Sequence, residues 1–565
     1  MTRAKGKDYV AIAEGYARDV ASGKIPGCQW AVKACRRQLD DLERAKSGDF
    51  PHRFDKEKAS RICEFIELLP HIKGEWARQG MRIELQPWQL FILTTVFGWV
   101  HKSTRLRRFK TAYNEMPRKA GKSSLSSGVG IYCLCADGEA GADVYSAATT
   151  RDQAKIVWQD AWHMVERSPG LKKAFGVSTT AHAISQIWTA SRFQPLSAEG
   201  NSLDGLNIHC AIVDELHAHR TRKVFDVLET AMGARSQPLL WLITTAGSDR
   251  SGICYEQRTY VTKILDGVVK DENYFGIIYT IDDGDDWTDP AIHRKANPNY
   301  GISVLPDDLE RLCLKAQKMP SAQNNFLTKR LSVWVNADVA LFSMAAWDAC
   351  ADQRLSIDGF RDESCWVGID LAPRHDFSEL LALFRRGEHY YVFARHYLSE
   401  IEAEESDNSQ FAGWAASGRV ETNPGNVTDY GRIEDDLREL SSRHQVNEVC
   451  FDPFSAHQFA TRMQEQGFPM VEIRARVQNF SEPTKKLEAL MAERKIHHDG
   501  DPVLAWMLSN VVGHYDRKDN VYPVRERPEN KIDGAIALIM ALSRAMTESG
   551  SRPRNIYETR GPVFV

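Results

Sequence analysis

Short apolar runs that alternate with helical stretches constrain the fold of this chain more than any other feature of its sequence. The first series lies in the N-terminal half, where four runs have the length and composition of buried strands. Parallel strands need a crossover connection, which is usually a helix, so strands interleaved with helices predict a parallel α/β sheet. The four predicted strands are 109–115, 142–148, 209–214 and 239–245.

A second series of strand-like runs begins at Cys365. The runs CWVGIDL, ELLALFR and HYYVFARHYL follow one another closely, NEVCFD comes later, and a long final helix completes the pattern. This order predicts a second α/β domain, with residues 336–362 as the linker between the two domains. Residues 1–75 are predicted as amphipathic helices, with Asp55 as the N-cap of one of them, and residues 547–565 as a flexible tail.

Composition limits the classes to which this chain can belong. With 565 residues, 43% hydrophobic and 26% charged, it is long enough for several domains and is neither disordered nor fibrous. The 76 acidic and 72 basic residues give a net charge of −4, so any nucleic-acid contact must rest on local basic patches. The eleven cysteines form no CxxC pair, and no signal peptide or membrane-length apolar stretch is present. We therefore expect reduced thiols and a soluble intracellular protein with no membrane partner.

A strand, a tight loop and a helix are predicted in the segment FKTAYNEMPRKAGKSSLSSGVGIY. Here Gly121, Lys122 and Ser123 match the end of a P-loop, in which backbone N–H groups cradle phosphates, lysine reaches the β- and γ-phosphates and serine binds Mg²⁺. Met116 stands where the usual pattern has a glycine, and a GKS triplet alone is more often an ordinary helix start. The motif therefore indicates nucleotide binding only together with further elements.

Two such elements follow in the order typical of an ATPase. The strand in HCAIVDELHAH ends in Asp214, predicted to bind Mg²⁺ through water, and Glu215, the predicted general base. The strand in LLWLITTAG ends in Thr244 and Thr245, whose hydroxyls could sense the γ-phosphate. Each signal is weak alone, but their order on strand ends predicts that the N-terminal half is an ATPase.

Other residues of this half are candidates for contacts with ATP. Gln89, in LQPWQLFIL, could recognise an adenine edge, while Trp88 could equally stack on the base or pack in the core. Arg118 lies inside the loop, where a guanidinium could stabilise the transferred phosphate. Arg151 and Arg235 are weaker candidates for an arginine supplied to a neighbouring subunit, and surface salt bridges suit both better. The predicted nucleotide-binding set is Gln89, Arg118, Lys119, Gly121, Lys122, Ser123, Ser124 and Asp214.

Three carboxylates mark the second domain. Asp370 lies on its first strand, Asp452 ends its fourth, and Asp533 begins the last helix. An acid at the end of a buried strand is costly unless it is paired or holds a cation, and this layout matches an RNase H-like nuclease. Such a site holds two Mg²⁺ or Mn²⁺ ions about 4 Å apart, one activating water and one stabilising the leaving oxygen. Asp376 is either a fourth ligand or an acidic turn residue.

Basic residues lie near these carboxylates in sequence and could neutralise DNA phosphates. For each of them singly, a solvated charged surface is the stronger interpretation. The candidates of the second domain are Arg374, His375, Arg474, Arg476, Lys485 and Lys486. A further group, either DNA-facing or merely part of a polar loop, precedes the P-loop and consists of Lys102, Arg105, Arg107 and Arg108.

With both sites assembled, the chain resembles the large terminase subunit of tailed double-stranded DNA bacteriophages, from about residue 85 to residue 543. The pieces that carry the resemblance are PWQ, PRKAGKSS, IVDELHAH, LITTAGS, VGIDLAPRHD and ENKIDGAIALIMAL. The resemblance implies a packaging ATPase of the additional-strand class that pumps viral DNA into a procapsid through the portal. It also implies a C-terminal RNase H-like nuclease that cuts the concatemer.

The resemblance further implies roles for residues and segments of this chain. It makes Arg118, Lys122 and Ser123 the Walker A residues, and Asp214 with Glu215 the Walker B pair. It also implies that Thr244 and Thr245 couple ATP hydrolysis to DNA movement. Asp370, Asp452 and Asp533 are implied to be the metal ligands of the nuclease. The implied divisions are a P-loop ATPase core at 76–250, a lid or linker subdomain at 251–335 and the nuclease at 363–546.

Cofactors, partners and location are implied by the same resemblance. The cofactors are ATP with Mg²⁺ at the first site and two Mg²⁺ or Mn²⁺ ions at the second. The partners are double-stranded DNA, the portal and procapsid, the small terminase subunit, and further copies of the chain as a pentamer on the portal. The implied location is the host cytoplasm and, transiently, the portal vertex, outside the mature virion.

A second interpretation is a helicase-like or signalling ATPase whose second domain binds nucleic acid without cutting it. It predicts duplex unwinding or nucleotide-gated binding, and no cleavage with any divalent ion. The sequence shows no helicase arginine motif in a second motor lobe, and the second domain carries all three acids. These features favour the nuclease.

Overall fold

The computed structural model contains two compact units, Met1–Val335 and Asn336–Val565. It describes residues 7–196, 205–219, 221–250, 252–336, 340–372, 376–406, 408, 410–516 and 518–547. Each unit has its own β-sheet and its own hydrophobic clusters. Within these described ranges, no helix is long and apolar enough to cross a membrane.

Helices form the first part of the first unit. They are α1 (Tyr9–Ala21), α2 (Gln29–Arg44), α3 (Lys56–Glu67), α4 (Gly74–Arg78) and α5 (Pro87–Gly98), with β1 (His52–Phe54) pairing antiparallel to β2 (Trp99–His101). The predicted cap is confirmed, because the Asp55 carboxylate accepts a hydrogen bond from the Lys58 N–H (3.2 Å) at the start of α3. Helix α5 is buried along nearly its whole length, which explains why its sequence is continuously apolar.

Eight strands form the sheet of the first unit. Its strands are β3 (Thr111–Glu115), β4 (Asp143–Ala147), β5 (Val177–Thr179), β6 (Ile184–Gln186), β7 (Ser191–Pro195), β8 (Ile208–Asp214), β9 (Leu239–Thr244) and β10 (Tyr274–Ile278). Their order is β10-β3-β9-β8-β4-β7-β6-β5, parallel from β10 to β7 and antiparallel at the β6 and β5 edge. Strand β9 therefore lies between β3, which leads into the predicted P-loop, and β8, which ends in the acidic pair.

Helices pack around this sheet. They are α6 (Lys122–Cys135), α7 (Arg151–Glu166), α8 (Pro169–Phe175), α9 (Lys223–Thr230) and α10 (Ile253–Leu265), followed by α11 (Pro290–Ala296), α12 (Pro306–Lys318) and α13 (Pro320–Arg330). Every residue of β8 and β9 is buried, as expected for parallel strands covered on both faces. Strand β10 lies inside the segment 251–335, predicted as a lid, yet it pairs with β3 and so belongs to the ATPase sheet.

The second unit contains one main sheet and a separate hairpin. Its strands are β11 (Ser364–Asp370), β12 (Ser378–Arg386), β13 (His389–Ser399), β14 (Val420–Asn423), β15 (Gln445–Phe451), β16 (Met470–Glu472) and β17 (Ile496–His498), with the hairpin β18 (Val511–Tyr515) and β19 (Val521–Arg525). The main order is β14-β13-β12-β11-β15-β16, with β17 also beside β13. Strands β11, β12 and β13 are mutually antiparallel, whereas β15 is parallel to β11.

The helices of the second unit cover both faces of that sheet. They are α14 (Met344–Asp348), α15 (Glu400–Glu405), α16 (Gln410–Ala416), α17 (Tyr430–Arg443), α18 (Pro453–Glu465), α19 (Val477–Ala492), α20 (Pro502–Ser509) and α21 (Asp533–Ala545). The segment 336–362, predicted as a linker, contains α14 and a 3₁₀ turn, and the side chains of Trp347 and Phe360 are buried in two clusters of this unit. Much of that segment is therefore core rather than connection.

Helix α21 lies unusually close to β11. A Cβ atom added to Gly368 would be 2.0 Å from the carbonyl oxygen of Ala537. A side chain at this position is thus sterically excluded, and glycine allows the helix to contact the strand backbone. Because residues two apart on a strand share a face, Asp370 lies on the same face of the sheet as Gly368.

All eleven cysteines lie in the described part of the chain and are free thiols. Ten are buried, and Cys135 is half-buried. They are distributed over the cores of both units.

Candidate active sites

The predicted P-loop connects β3 to α6 through two left-handed residues. Gly121 has φ +88°, a conformation that favours glycine, and Lys119 has φ +73°. Arg118 and Lys119 are exposed, whereas Ser123 and Ser124, in the first turn of α6, are half-buried. The first backbone N–H groups of α6 have no partners within the helix, which suits a phosphate.

The ammonium group of Lys122 contacts the backbone of this loop. The Nζ atom donates hydrogen bonds to the carbonyl oxygens of Met116 (2.7 Å) and Pro117 (3.2 Å). Burial lowers the pKa of Lys122 to about 8, against the attraction of Glu215 and Asp214, which acts in the opposite direction. The side chain is therefore a desolvated cation beside the acidic pair, held by carbonyls of its own loop.

Residues from the end of the first unit hold the loop from outside. The backbone N–H of Arg118 donates to the carbonyl of Lys329 (2.8 Å), at the end of α13. The Ser303 hydroxyl donates to the carbonyl of Lys119 (2.5 Å), and Asn299 donates to that hydroxyl oxygen (2.8 Å). The conformation of the loop is thus tied to the segment around α11 to α13.

Asp214 and Glu215 lie at the carboxyl end of β8. Asp214 is buried, and its carboxylate accepts the backbone N–H of Glu215 (2.8 Å). Burial, and then the charge of Glu215, raise the pKa of Asp214 to about 6. Glu215 has a left-handed backbone (φ +51°), which is unfavourable for a non-glycine residue and is often found at functional sites.

His217 links this glutamate to the predicted coupling residues, and the sequence motifs gave it no role. Its Nδ1 atom lies 3.1 Å from Glu215 Oε2, 3.1 Å from Thr244 Oγ1 and 3.4 Å from Thr245 Oγ1. Its Nε2 atom lies 3.0 Å from Lys329 Nζ. Because an ammonium only donates, Nε2 accepts and Nδ1 carries the proton that points to the Thr244 hydroxyl. Glu215 Oε2 is close to Nδ1 but is buried with no hydrogen-bond partner among the described residues. The position of His217 two residues after Glu215 in DELHAH was the signal available in the sequence.

A cavity of about 260 Å³ lies beside the P-loop. Its lining includes Trp76, Ile83, Gln86, Gln89, Gly121 and Ser124. Gln89 caps the start of α5 by accepting the N–H of Gln86 (2.9 Å), so it stands at the cavity as part of a fixed turn. Trp88 is buried and donates its indole N–H to Asn299 (2.8 Å), which identifies it as a core residue.

Several arginines of the first unit are engaged within the chain. Arg235 donates to the carbonyls of Gly141 (2.6 Å) and Asn207 (3.0 Å), in agreement with the salt-bridge interpretation, since it also lies 3.3 Å from Glu139. Arg151 begins α7, and its side chain lies outside the described part of the structure.

Two residues considered for DNA contact ahead of the P-loop are buried instead. Arg107 pairs with Asp137 (2.8 Å), and Arg108 pairs with Asp41 (2.7 Å). Both guanidiniums therefore form ion pairs in the core, because a buried charge needs a partner. Lys102 is half-buried and Arg105 is exposed.

The three aspartates of the second unit come from three separate elements that the fold brings together. Asp370 ends β11, Asp452 follows β15 directly, and Asp533 begins α21. Burial and the charge of Asp452 raise the pKa of Asp370 to about 7. Burial and the charge of Asp370 raise the pKa of Asp533. A charge that raises the pKa of another carboxyl group lies close to it, so Asp370 is near both Asp452 and Asp533.

Asp452 is fixed by backbone donors. One oxygen accepts the N–H of Phe454 (2.8 Å) as the N-cap of α18, and the other accepts the N–H of Ala475 (3.0 Å) between β16 and α19. Asp376, the residue left open as ligand or turn acid, accepts from Lys531 (2.5 Å) and Arg525 (3.1 Å). Its charge is thus offset by two cations of this chain.

Glu379, on β12, was missed by the sequence analysis. It is fully buried, and its Oε2 atom lies 2.7 Å from His396 Nδ1; His396 Nε2 in turn lies 3.0 Å from Asp501 Oδ1. The two carboxylates raise the pKa of His396 to about 10, although burial alone would lower it. Glu379 begins the apolar run ELLALFR, and no local pattern distinguishes it from a strand-edge residue.

The predicted DNA-binding residues fall on two elements. Arg474 and Arg476 flank Ala475, the residue that holds Asp452, and exposed Arg474 pairs with Glu472 (2.5 Å). Lys485 and Lys486 lie on α19, the first exposed and the second half-buried. Arg374 and His375 lie outside the described residues.

The donor atoms at both sites fit divalent cations. The second site offers carboxylate oxygens, the hard ligands that Mg²⁺ and Mn²⁺ prefer. Asp533 Oδ2 is buried without a hydrogen-bond partner among the described residues, as expected for an oxygen reserved for a cation. At the first site, Ser123 and Asp214 carry oxygens, which Mg²⁺ also prefers.

A P-loop strand separated by one strand from an acidic strand defines an additional-strand ATPase, and the second unit has the strand order and carboxylates of an RNase H-like nuclease. Comparison of the sequence with family models agrees with this class. Residues 87–263 match the terminase large subunit ATPase domain, and residues 268–549 match the terminase large subunit endonuclease domain. The chain belongs to the large terminase subunit family.

Individual relatives cover much of the chain. Protein YmfN of Escherichia coli (strain K12) is 38% identical over 357 residues, which are 61% of this chain and 78% of that protein. The terminase large subunit of Enterobacteria phage HK97 is 25% identical over 510 residues, 87% of this chain and 97% of that protein. The crystal structure of the HK97 bacteriophage large terminase covers 86% of this chain and 99% of its own, with 24% identity and a TM-score of 0.43.

Family membership establishes what the chain does in general terms. It is an ATPase and an endonuclease that uses a nucleotide and divalent metal ions, and it acts on DNA in the portal and capsid context of genome packaging. The prediction of a packaging motor joined to a nuclease is confirmed. The matches to the ATPase and endonuclease domain models favour this function over a helicase-like or signalling ATPase with a non-cutting second domain.

Proposed function

We propose that ATP is hydrolysed at the P-loop with the acidic pair of β8. Lys122 and Arg118 contact the β- and γ-phosphates, and Ser123 with Asp214 holds Mg²⁺. The ion, when bound, neutralises phosphate charge. Glu215 takes the proton of the attacking water as the bond from water oxygen to the γ-phosphorus forms and the bond to the β-phosphate bridge breaks. The proximity of Lys122 to both acids supports these roles.

We further propose that the cavity beside the loop receives the adenine base. Gln89 presents its amide there, with Gly121, Ser124 and Lys119 forming the adjoining phosphate end. The lining combines apolar side chains such as Ile83 and Leu85 with polar ones, an arrangement that suits a planar base with polar edges.

The coupling threonines are proposed to act on Glu215 through His217. Thr244 and Thr245 both lie within 3.4 Å of His217 Nδ1, and so does Glu215. A displacement at the end of β9 would therefore move the imidazole that lies beside the general base.

For DNA cleavage, we propose Asp370, Asp452 and Asp533 as the ligands of two Mg²⁺ or Mn²⁺ ions. The ions, when bound, activate water and stabilise the leaving oxygen of the phosphodiester. The carboxylates hold them at the junction of β11, β15 and α21, and Asp452 is oriented by two backbone N–H groups. Arg474, Arg476, Lys485 and Lys486 are proposed to contact DNA phosphates.

The partners and location are proposed from the family. They are double-stranded DNA, the portal of the procapsid, the small terminase subunit and, on the portal, further copies of the chain as a pentamer. The proposed location is the host cytoplasm, with transient residence at the portal vertex. A copurification of tagged chain with portal and small subunit from infected cells would test these contacts.

The observation that carries the assignment is that residues from distant elements converge into one acidic site in each unit. The test measures ATP hydrolysis and plasmid cutting with Mn²⁺ in the same preparations. Glu215→Gln should lower hydrolysis by about 10²-fold or more, retain nucleotide binding and leave cutting intact. Asp370→Asn and Asp452→Asn should abolish cutting and spare hydrolysis.

Matched controls change exposed acids of the same units. Glu229→Gln in the first unit and Asp435→Asn in the second should leave both activities at the wild-type level. Loss of both activities in Asp370→Asn, with an unchanged fold by circular dichroism, would refute the assignment of separate sites.

A further inference from the structure

A row of polar side chains crosses the sheet of the second unit, beginning at half-buried Asp370 and continuing through buried Glu379 and His396. Glu379 on β12 is the register partner of Asp370, and His396 on β13 is the register partner of Glu379. Directly opposite residues of antiparallel strands project from the same face of a sheet. Asp370, Glu379 and His396 therefore lie side by side on one face.

This is the face covered by α21. Gly368 allows the helix to touch β11 on that face, as described above, and Gly534 does so beside Glu379. A Cβ atom at Gly534 would lie 3.3 Å from Glu379 Oε2. The carboxylate of Glu379 thus lies under the first turn of α21, where Asp533 is located.

Two buried carboxylate oxygens below the first turn of α21 lack a hydrogen-bond partner among the described residues. Glu379 Oε2 is engaged by His396, but Oε1 has no partner among the described residues, and neither has Asp533 Oδ2. Buried carboxylate oxygens are normally satisfied, because an unpaired one loses its hydration without compensation. Two such oxygens beside Asp370 are the expected arrangement where a cation binds.

We propose that Glu379 is a fourth carboxylate of the nuclease metal centre, held in place by His396 and Asp501. The inference rests on the proposed nuclease site of Asp370, Asp452 and Asp533. Asp376 is the other nearby acid, but Lys531 and Arg525 already bind it.

His396 and Asp501 act as positioning residues. The imidazole lies between two carboxylates, so each ring nitrogen donates a proton to an acceptor. Asp501 is itself fixed by the backbone N–H groups of Val503 and Leu504, both at 2.8 Å, at the start of α20. The chain from α20 to Glu379 therefore fixes the Oε2 atom and leaves Oε1 without a protein partner among the described residues, as outer hydrogen bonds fix metal ligands generally.

The test is calorimetric titration of the nucleotide-free full chain with Mn²⁺, beside plasmid cutting over a range of Mn²⁺ concentrations. Glu379→Gln should bind Mn²⁺ about 10-fold or more weakly and need correspondingly more Mn²⁺ for half-maximal cutting. Glu448→Gln is the matched control, since Glu448 pairs with Arg544 (2.6 Å) elsewhere in the unit. It should bind Mn²⁺ as the wild type does.

Asp370→Asn separates this inference from the proposed site. Weakened binding in Asp370→Asn with wild-type binding in Glu379→Gln would overturn the role of Glu379 alone. Wild-type binding in both would overturn the nuclease site itself.

His396→Gln keeps the proposal testable if Glu379→Gln fails to fold. Its half-maximal Mn²⁺ concentration should rise while saturating Mn²⁺ restores the cutting rate. A lowered maximal rate at an unchanged Mn²⁺ requirement would mean a structural role only and would overturn the positioning role.

Discussion

Individual charged side chains at the proposed ATPase site are desolvated, and burial changes the pH at which they carry charge. Burial disfavours the ammonium of Lys122 and the carboxylate of Asp214, so the pKa of the lysine falls to about 8 and that of the aspartate rises to about 6. Each group attracts the other and so opposes the effect of burial. A phosphate that binds in the loop would give Lys122 a fully charged negative partner. The loop carbonyls that now accept its hydrogen bonds offer only partial negative charges.

We expect the affinity for Mg-ATP to fall as the pH rises above about 8. Below that pH Lys122 is protonated in the free protein; above it the proton is lost, and phosphate binding must recover it. Binding should therefore take up a proton between about 8 and the ordinary lysine pKa of 10.5. Calorimetry at pH about 9 in buffers of different ionisation enthalpy measures this uptake. Lys173→Met, at an exposed lysine of α8 outside the proposed ATP site, should preserve it, and absence of proton uptake in the wild type would contradict the prediction.

His217 should matter for hydrolysis more than for nucleotide binding. Replacing it by alanine removes the acceptor of the Lys329 ammonium and the imidazole that lies between Thr244 and Glu215. Loss of a hydrogen bond to a charged group costs about 1.5–3 kcal/mol, so hydrolysis should fall about 10- to 100-fold at unchanged ATP affinity. His217→Asn, whose amide can still donate, should recover part of the rate, and exposed His182→Ala should have none of the defect. An equal loss of the hydrolysis rate in His217→Ala and His182→Ala would contradict the role of His217 in hydrolysis.

Sequence motifs pointed to residues that end strands or begin helices, such as Lys122, Asp214 and Asp370. These positions are recognisable because a polar residue interrupts an apolar run. Glu379 and His217 were not recognisable in this way. Their roles depend on cross-strand register and on a lysine more than 100 residues away, neither of which a local pattern contains.

At the level of elements, the long buried strands were predictable and the short ones were not. Strands β8, β9 and β11 each present six or seven residues with a continuous apolar core. Strands β5, β6 and β16 have three residues each, too few for an alternating pattern. The place of β10 beside β3 is set by parallel pairing with a distant strand, so the predicted boundary at residue 250 divided the ATPase sheet.

The contact between α21 and β11 predicts a severe effect of one methyl group. Gly368→Ala would place a Cβ atom 2.0 Å from a backbone carbonyl, and the helix would have to move away from the strand. Overpacking of this kind costs about 1–3 kcal/mol or more. Urea denaturation followed by fluorescence measures the loss. Gly359→Ala is the matched control, because nothing lies within 4 Å of its Cβ position; equal stability of the two variants would contradict the contact.

The whole molecule consists of two units with separate cores and separate sites. A ligand that binds one folded unit stabilises that unit by an amount set by its concentration relative to its dissociation constant, about 2.7 kcal/mol at a 100-fold excess. The two sites differ in what they bind, so ligands distinguish the units thermodynamically.

We expect Mn²⁺ without nucleotide to raise the unfolding temperature of the second unit, as measured by scanning calorimetry. Asp370→Asn should abolish that shift and leave stabilisation of the first unit by ATP and Mg²⁺ unchanged. Asp435→Asn should behave as the wild type. A single transition that responds equally to both ligands in Asp370→Asn would contradict independent sites.

The burial of the native thiols has a practical consequence for studying a DNA motor. Because none of the eleven cysteines is exposed, maleimide dyes should react slowly with the folded wild-type chain. One cysteine introduced at an exposed position, for example by Asp435→Cys, would then carry a single fluorophore. The native cysteines would not have to be replaced first. Movement of labelled motors along DNA becomes observable one molecule at a time.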